Sequence, residues 1–143
     1  MNEVSNTVER LMTKDVLAVL PSHSLAEAAQ VMVERDVGAA MVVEKGELMG
    51  IITERDLLRA LARSLVPWNT PVSDCMTSDP ITIEPEVPAE EAVRAMVDKG
   101  FRHLPVLKDG EIVGIVSMRD LVTQLTQSFP AEEEGELFLR LSP

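Results

Sequence analysis

Apolar and polar positions in this 143-residue chain follow two alternating periods. A short apolar run at 17–20 predicts a strand, and Ser24 behind it is placed to cap a helix with apolar residues at helical spacing. Runs at 40–44 and 47–53, joined by a Lys-Gly turn, predict a β-hairpin. A further amphipathic helix follows. The order strand, helix, strand, strand, helix indicates a mixed α/β (α+β) fold.

The same order of elements returns 64 positions later without a gap. Met12 corresponds to Met76 and Gly46 to Gly110, and 16 of the 47 positions in 12–58 are identical to their counterparts. Two copies of one unit, each with a partial apolar face, are expected to pack together. We therefore predict two pseudo-symmetric βαββα repeats packed through their sheets. The predicted boundaries are 1–65 for an N-terminal helix and repeat one, 66–71 for a linker, 72–129 for repeat two and 130–143 for an acidic and apolar tail.

The composition of the chain limits the kinds of partner that it is expected to bind. The net charge of −11 disfavours a nucleic-acid backbone or an anionic membrane as the general partner, because both are negative. No apolar run reaches about 18 residues and no basic-then-apolar leader is present, so we expect no membrane span and a cytoplasmic protein. One cysteine and two distant histidines supply too few ligands for a zinc site, and no metal is predicted.

The strand-to-helix junction of each repeat carries the candidate chemistry. Thr53 is followed three positions later by Asp56, and Ser117 is followed in the same way by Asp120. One interpretation is a capping box, in which the hydroxyl and the carboxylate only satisfy amides at the start of a helix. The other is that the shorter Asp, found where such boxes favour Glu or Gln, accepts a hydrogen bond from a ligand.

An arginine stands in the first helical turn of both junctions. Arg55 and Arg119 oppose the helix macrodipole there, at a cost of about 0.3–1 kcal/mol each. An anion bound at the start of the helix explains both, since free amides and a guanidinium can share a phosphate. Hydroxyl, carboxylate, amides and guanidinium together suit a ribose with a phosphate attached.

These paired Gly-x-x-[Thr/Ser]-x-Arg-Asp-Leu motifs resemble those of a tandem pair of cystathionine-β-synthase-type (CBS) domains. The segments Met76-Thr77-x-Asp79-Pro80 and Arg102-His103-Leu104-Pro105-Val106 strengthen the resemblance, which covers almost everything but the termini. It implies a Bateman module with two clefts for an adenosine-containing regulatory ligand such as AMP, ADP, ATP, NAD or S-adenosylmethionine. The resemblance implies ribose contacts from Asp56, Asp120, Thr53 and Ser117, phosphate contacts from Arg102 and His103, and an adenine pocket from Val16, Leu17, Ala18, Pro80, Ile81 and Thr82.

The two clefts are not expected to be equivalent. Arg102 and His103 have Gly38 and Ala39 as their counterparts in repeat one, so the phosphate-binding pair occurs once. A structural alternative for His103 is a half-buried imidazole that satisfies a backbone carbonyl.

Three functional hypotheses follow. The first is a non-catalytic sensor that binds an adenosine derivative and signals to a partner protein. The second is a scaffold that dimerises or binds another protein, with vestigial clefts and aspartates that only cap helices. A homodimer is expected in either case, with contacts through the exposed parts of the final helices. The third is an enzyme using Asp56 and Asp120 as acid and base or as magnesium ligands. No nucleophile, phosphate loop or metal cluster accompanies these carboxylates, so no catalysis is expected.

Overall fold

The computed structural model describes residues 6–126, with side chains as far as Gln124. The tail predicted at 130–143 lies outside the described residues. In chain order the elements are α1 (Val8–Leu11), β1 (Ala18–Val19), α2 (Leu25–Arg35), β2 (Ala39–Glu44), β3 (Glu47–Thr53), α3 (Glu54–Ala62), a 3-10 helix (Val72–Asp74), β4 (Thr77–Ser78), α4 (Ala89–Lys99), β5 (His103–Lys108), β6 (Glu111–Ser117) and α5 (Met118–Thr126). The predicted mixed α/β fold class is confirmed.

Helix α2 begins at the predicted cap. Ser24 accepts a hydrogen bond from the N–H of Glu27, and the Glu27 carboxylate accepts one from the N–H of Ser24, which completes a capping box. The helix ends at Asp36, whose backbone is left-handed with φ of 54°. The buried side of the helix carries Leu25, Ala28 and Met32, as its apolar spacing predicts.

Each repeat contains the predicted antiparallel hairpin. β2 pairs with β3 and β5 pairs with β6, and each pairing shifts register once. At the first turn Lys45 and Gly46 have φ of 54° and 79°, and at the second Asp109 and Gly110 have φ of 51° and 83°. Two successive positive φ values are typical of the type I′ turn, whose twist matches that of the flanking strands.

A segment near the start of each repeat pairs with the hairpin of the other repeat. Thr77 of β4 pairs with Ile51 of β3, and Thr13 forms the equivalent bridge with Ile115 of β6. The parallel neighbour of each hairpin comes from its own repeat, with Val19 opposite Val42 in the first half. The two halves therefore exchange one extended segment each.

The exchange extends to the cores. Val8 of α1 is fully buried in the core of the second half, whereas Val72 is fully buried in the core of the first. Backbone hydrogen bonds secure both ends: the Val8 N–H donates to the carbonyl of Val87 at 2.9 Å, and the Val72 N–H donates to that of His23 at 2.7 Å. Each spatial half therefore contains residues from both sequence repeats, although the sequence period alone places them in separate units.

Candidate functional site

The junction between β3 and α3 forms a closed capping box. Asp56 Oδ2 accepts hydrogen bonds from the N–H of Thr53 at 2.9 Å and from Thr53 Oγ1 at 3.0 Å. In return Thr53 Oγ1 accepts from the N–H of Asp56 at 3.3 Å. The other carboxylate oxygen of Asp56, Oδ1, lies 3.9 Å from Arg59 Nη1. Asp56 is only 8% exposed, so its carboxylate is both a helix cap and a buried charge beside a cation.

The junction between β6 and α5 repeats the arrangement. Asp120 Oδ2 accepts from the N–H of Ser117 at 3.1 Å, and Ser117 Oγ accepts from the N–H of Asp120 at 3.0 Å. The capping contacts predicted for both junctions are thus present. Because the capping contacts use Oδ2 of each carboxylate, they do not by themselves decide what Oδ1 binds.

A large cleft opens beside each junction. The Asp56 cleft has a volume of about 650 Å³ and is walled by the Thr53–Asp56 junction, Thr77 and the segment leading into β5. The Asp120 cleft, of about 900 Å³, is walled by the Ser117–Asp120 junction, the segment before β1 and the segment leading into β2. Clefts of about 300–1,000 Å³ are the size that binds small organic ligands.

The clefts bring together most of the predicted polar residues. Arg55 lines the Asp56 cleft and Arg119 lines the Asp120 cleft, each beside the carboxylate of its own junction. Arg102 and His103 line both clefts. Their position at the start of β5 makes them part of the wall that the two clefts share.

The predicted adenine-pocket residues are divided by the fold. Val16 and Leu17 line the Asp120 cleft. Ala18 lies in β1 with its side chain exposed and is absent from the lining of that cleft. Pro80, Ile81 and Thr82 follow β4 without joining a strand and are absent from the lining of both clefts.

Five charged residues in the clefts were not identified from the sequence, among them Asp15 in the Asp120 cleft and Glu54 in both clefts. Arg59 and Lys99 line the Asp56 cleft, and Asp36 lines the Asp120 cleft. Arg59 lies one turn after Asp56 on the same helix face, a spacing that could have indicated it. Lys99 and Asp36 end helices that enter the clefts, which only the packing of α2 and α4 reveals.

Burial lowers the pKa of His103 below its usual range. The carboxylates of Glu54 and Asp120 act in the opposite direction and Arg102 adds to the lowering, but removal from water is the largest effect. His103 is therefore held neutral in the fold at pH values where the unfolded chain is already protonated.

Lowering the pH is expected to destabilise the protein through His103. The unfolded chain binds the extra proton below about pH 6.5, so the free energy of unfolding should fall as the pH drops through about 6.5 toward the lower pKa of His103 in the folded state. His103→Gln should reduce that loss, because glutamine does not titrate. Urea denaturation at several pH values measures the difference. An equal pH dependence in the variant would remove His103 as its source.

Within residues 6–126, no three His, Cys, Asp or Glu side chains cluster in a way that could hold a metal ion. In the same part of the chain, no helix is both long and apolar enough to cross a bilayer.

The sequence pattern of the CBS domain matches the chain twice, at residues 8–63 and 72–126. The chain belongs to the CBS domain family. As a CBS pair it is 36% identical over 138 residues to an uncharacterised 17.7 kDa protein of Acidianus ambivalens, covering 91% of this chain and 83% of that protein. It is 37% identical over 117 residues to the CBS domain-containing protein YhcV of Bacillus subtilis, covering 81% and 83%.

Solved CBS pairs share its architecture. The CBS pair of protein MJ0100, solved in complex with 5′-methylthioadenosine and S-adenosyl-L-methionine, superposes with a TM-score of 0.80 at 25% identity over 87% of this chain and 98% of that one. The CBS domain protein PAE2072 of Pyrobaculum aerophilum, solved with AMP, gives a TM-score of 0.75 at 26% identity over 85% and 98%.

Proposed function

We propose that this CBS pair is a cytoplasmic, non-catalytic regulatory module that binds an adenosine-containing small molecule and signals its presence to a partner protein. The observation that carries the proposal is the pair of clefts, each lined by the carboxylate and the arginine of a repeated junction. The ligands of MJ0100 and PAE2072 all contain adenosine, which supports the same ligand class here.

In this proposal each junction residue has two roles. Asp56 and Asp120 use Oδ2 to cap their helices, and Oδ1 accepts a ribose hydroxyl. Thr53 and Ser117 stand beside the sugar. Arg55 and Arg119 face the phosphate or its substitute, where the positive end of the helix also attracts an anion. For the adenine ring, the proposal assigns the apolar wall at Val16 and Leu17 to the Asp120 cleft.

A scaffold without a ligand is the second candidate. It is favoured by the capping boxes, which give both carboxylates a structural reason to be present. It is also favoured by apolar side chains on the two junction helices, with Leu58 67% exposed, Leu61 60% and Val122 45%. We propose that this face forms a homodimer in either case, because such surfaces commonly mark protein contacts.

A thermal-shift series separates the two candidates. AMP, ADP, ATP, NAD and S-adenosylmethionine are each added up to millimolar concentration. A ligand at about 100 times its dissociation constant should stabilise the protein by roughly 2.7 kcal/mol. Asp120→Ala or Asp56→Ala should remove that gain from the cleft it serves. If none of the five compounds raises the melting temperature, the sensor proposal fails and the scaffold stands.

Ser24→Ala is the matched control for loss of a cap. Ser24 closes a capping box on α2 and lies in neither cleft lining. It should lower the stability of the free protein by about 1 kcal/mol, as loss of a cap does, while the gain on adding ligand stays intact. A capping aspartate that behaved in the same way would have no contact with the ligand.

A further inference from the structure

The two clefts are built from corresponding residues, so their differences can be compared position by position. Asp56 and Asp120 correspond, as do Arg55 and Arg119. The charges diverge elsewhere: Arg102 corresponds to Gly38, Arg59 to Thr123, and Gly100 to Asp36. Arg59 adds positive charge to the Asp56 cleft and Asp36 adds negative charge to the Asp120 cleft, whereas Arg102 lines both clefts and adds positive charge to each.

The Asp56 cleft is predominantly basic. Four basic side chains and two acidic ones line it, namely Arg55, Arg59, Lys99, Arg102, Glu54 and Asp56. Oδ1 of the buried Asp56 lies 3.9 Å from Nη1 of Arg59, and this guanidinium offsets the negative charge of the Asp56 carboxylate. Among the described residues 6–126, the remaining cations form no ion pair, so they can attract an anionic group.

The Asp120 cleft has the opposite balance. Two basic side chains and four acidic ones line it, namely Arg102, Arg119, Asp15, Asp36, Glu54 and Asp120. Asp15 is partly neutralised by Arg35, whose Nη2 lies 3.1 Å from Asp15 Oδ2. Even without Asp15, three carboxylates outnumber two guanidinium groups.

Glu54 lines both clefts, but its carboxylate lies on the Asp120 side of the wall that the two clefts share. Its Cδ and Oε2 atoms are 3.3 Å from the position that a Cβ on Gly38 would occupy. Gly38 lines the Asp120 cleft and not the Asp56 cleft. The missing side chain of Gly38 thus gives the Glu54 carboxylate room at the position where the other repeat carries Arg102.

We infer that the two clefts sort adenosine ligands by charge: the Asp56 cleft takes a phosphorylated adenosine, and the Asp120 cleft takes an adenosine derivative that is uncharged or cationic, such as a sulfonium. The inference rests on the proposed function, since it assigns ligand classes to the same clefts. With one ligand class in each cleft, the protein senses two kinds of metabolite, because both ligands can be bound at once.

AMP and S-adenosylmethionine are the probes, because one carries a phosphate and the other a sulfonium with net positive charge. Isothermal titration calorimetry should find about one site for each, and saturation with AMP should change the affinity for S-adenosylmethionine by less than about 3-fold. Competition for one site would overturn the sorting while leaving adenosine binding, and thus the proposed function, in place. Binding of neither compound would overturn both.

Two exchanges of corresponding residues test the charge argument directly. Arg59→Thr should weaken AMP binding by about 10-fold, because it removes the positive charge that offsets the Asp56 carboxylate in that cleft, and should leave the affinity for S-adenosylmethionine within about 3-fold. Asp36→Gly should weaken S-adenosylmethionine and not AMP, and glycine suits the φ of 54° at that position. Both side chains are exposed, so folding should not be lost.

Arg94→Gln and Glu34→Gln are the matched controls. They change the same charges on exposed helix positions outside both cleft linings and should leave both affinities unchanged. If Arg59→Thr and Asp36→Gly shift the two ligands equally, or no more than these controls do, charge does not sort them.

Discussion

Replacing Gly50 with alanine is expected to lower the free energy of unfolding by about 3 kcal/mol, the upper part of the range for overpacked cores. A Cβ at Gly50 would lie 2.6 Å from the carbonyl oxygen of Thr77 and 2.7 Å from Sδ of Met76. The methionine side chain can rotate, but the Thr77 oxygen belongs to the exchanged strand and cannot move without breaking its pairing with β3. Urea denaturation of the variant and the parent measures the loss.

Gly38→Ala is the matched control for Gly50→Ala. The three atoms nearest to its Cβ would all belong to the Glu54 side chain, at 3.3 Å or more, and that side chain can move aside. We therefore expect a change of no more than about 0.5 kcal/mol, as for other surface substitutions. Equal losses in the two variants would mean that the effect comes from glycine itself and not from the exchanged strand. The corresponding contact of Gly114 with Thr13 O, at 2.9 Å, predicts the same behaviour in the second half.

Val8→Ala is expected to destabilise the second half of the molecule and Val72→Ala the first, each by about 2–3 kcal/mol. Each valine is fully buried in a core that consists mainly of residues from the other repeat. Truncation removes two buried methyl groups and leaves a cavity. Native-state hydrogen exchange should show faster opening of β5 and β6 in Val8→Ala, and of β2 and β3 in Val72→Ala.

The two valine variants control for each other, because the substitution and the burial are the same. A local effect of Val8→Ala on β2 and β3 would contradict the exchange of segments. Equally faster hydrogen exchange in all four strands would mean instead that the two halves open together, whichever core has lost the valine.

The carboxylates of Asp56 and Asp120 face two demands in the proposed function: each caps a helix and each binds a ligand. A capping box accounts for Oδ2 of Asp56 and Asp120, so the motif alone does not establish a ligand site. The clefts add the second demand, because each places an arginine and a volume of nucleoside size beside the cap. The Asp120→Ala and Ser24→Ala comparison is informative because it separates these two demands.

Local features of the fold were predictable from the sequence. The Ser24 cap depends on residues within one helical turn, and both hairpin turns depend on a glycine, which adopts positive φ without strain. The hairpin bounds agree with prediction to within one residue, at 39–44 for β2 and 103–108 for β5. The predicted strand at 17–20 is shorter in the structure, because only Ala18 and Val19 pair with β2.

The charged lining of the clefts was only partly predictable. Arg102 and Arg119 belong to recognisable motifs, whereas Lys99 and Asp36 lie at the ends of helices and have no local signal. Their role in a cleft depends on where α4 and α2 end relative to the other repeat. That relation is a property of packing and not of spacing along the chain.

By itself the sequence determined the elements, their duplication and the two polar junctions, since hydrogen bonds over three or four residues and apolar periodicity are local. Only the tertiary structure decided that Thr13 and Thr77 pair with the opposite repeat, because a 64-residue period is equally consistent with two separate units. It also decided that one cleft is basic and the other acidic. The charges of a cleft add up over residues distant in the chain, and the folded backbone alone sets which of them share a space.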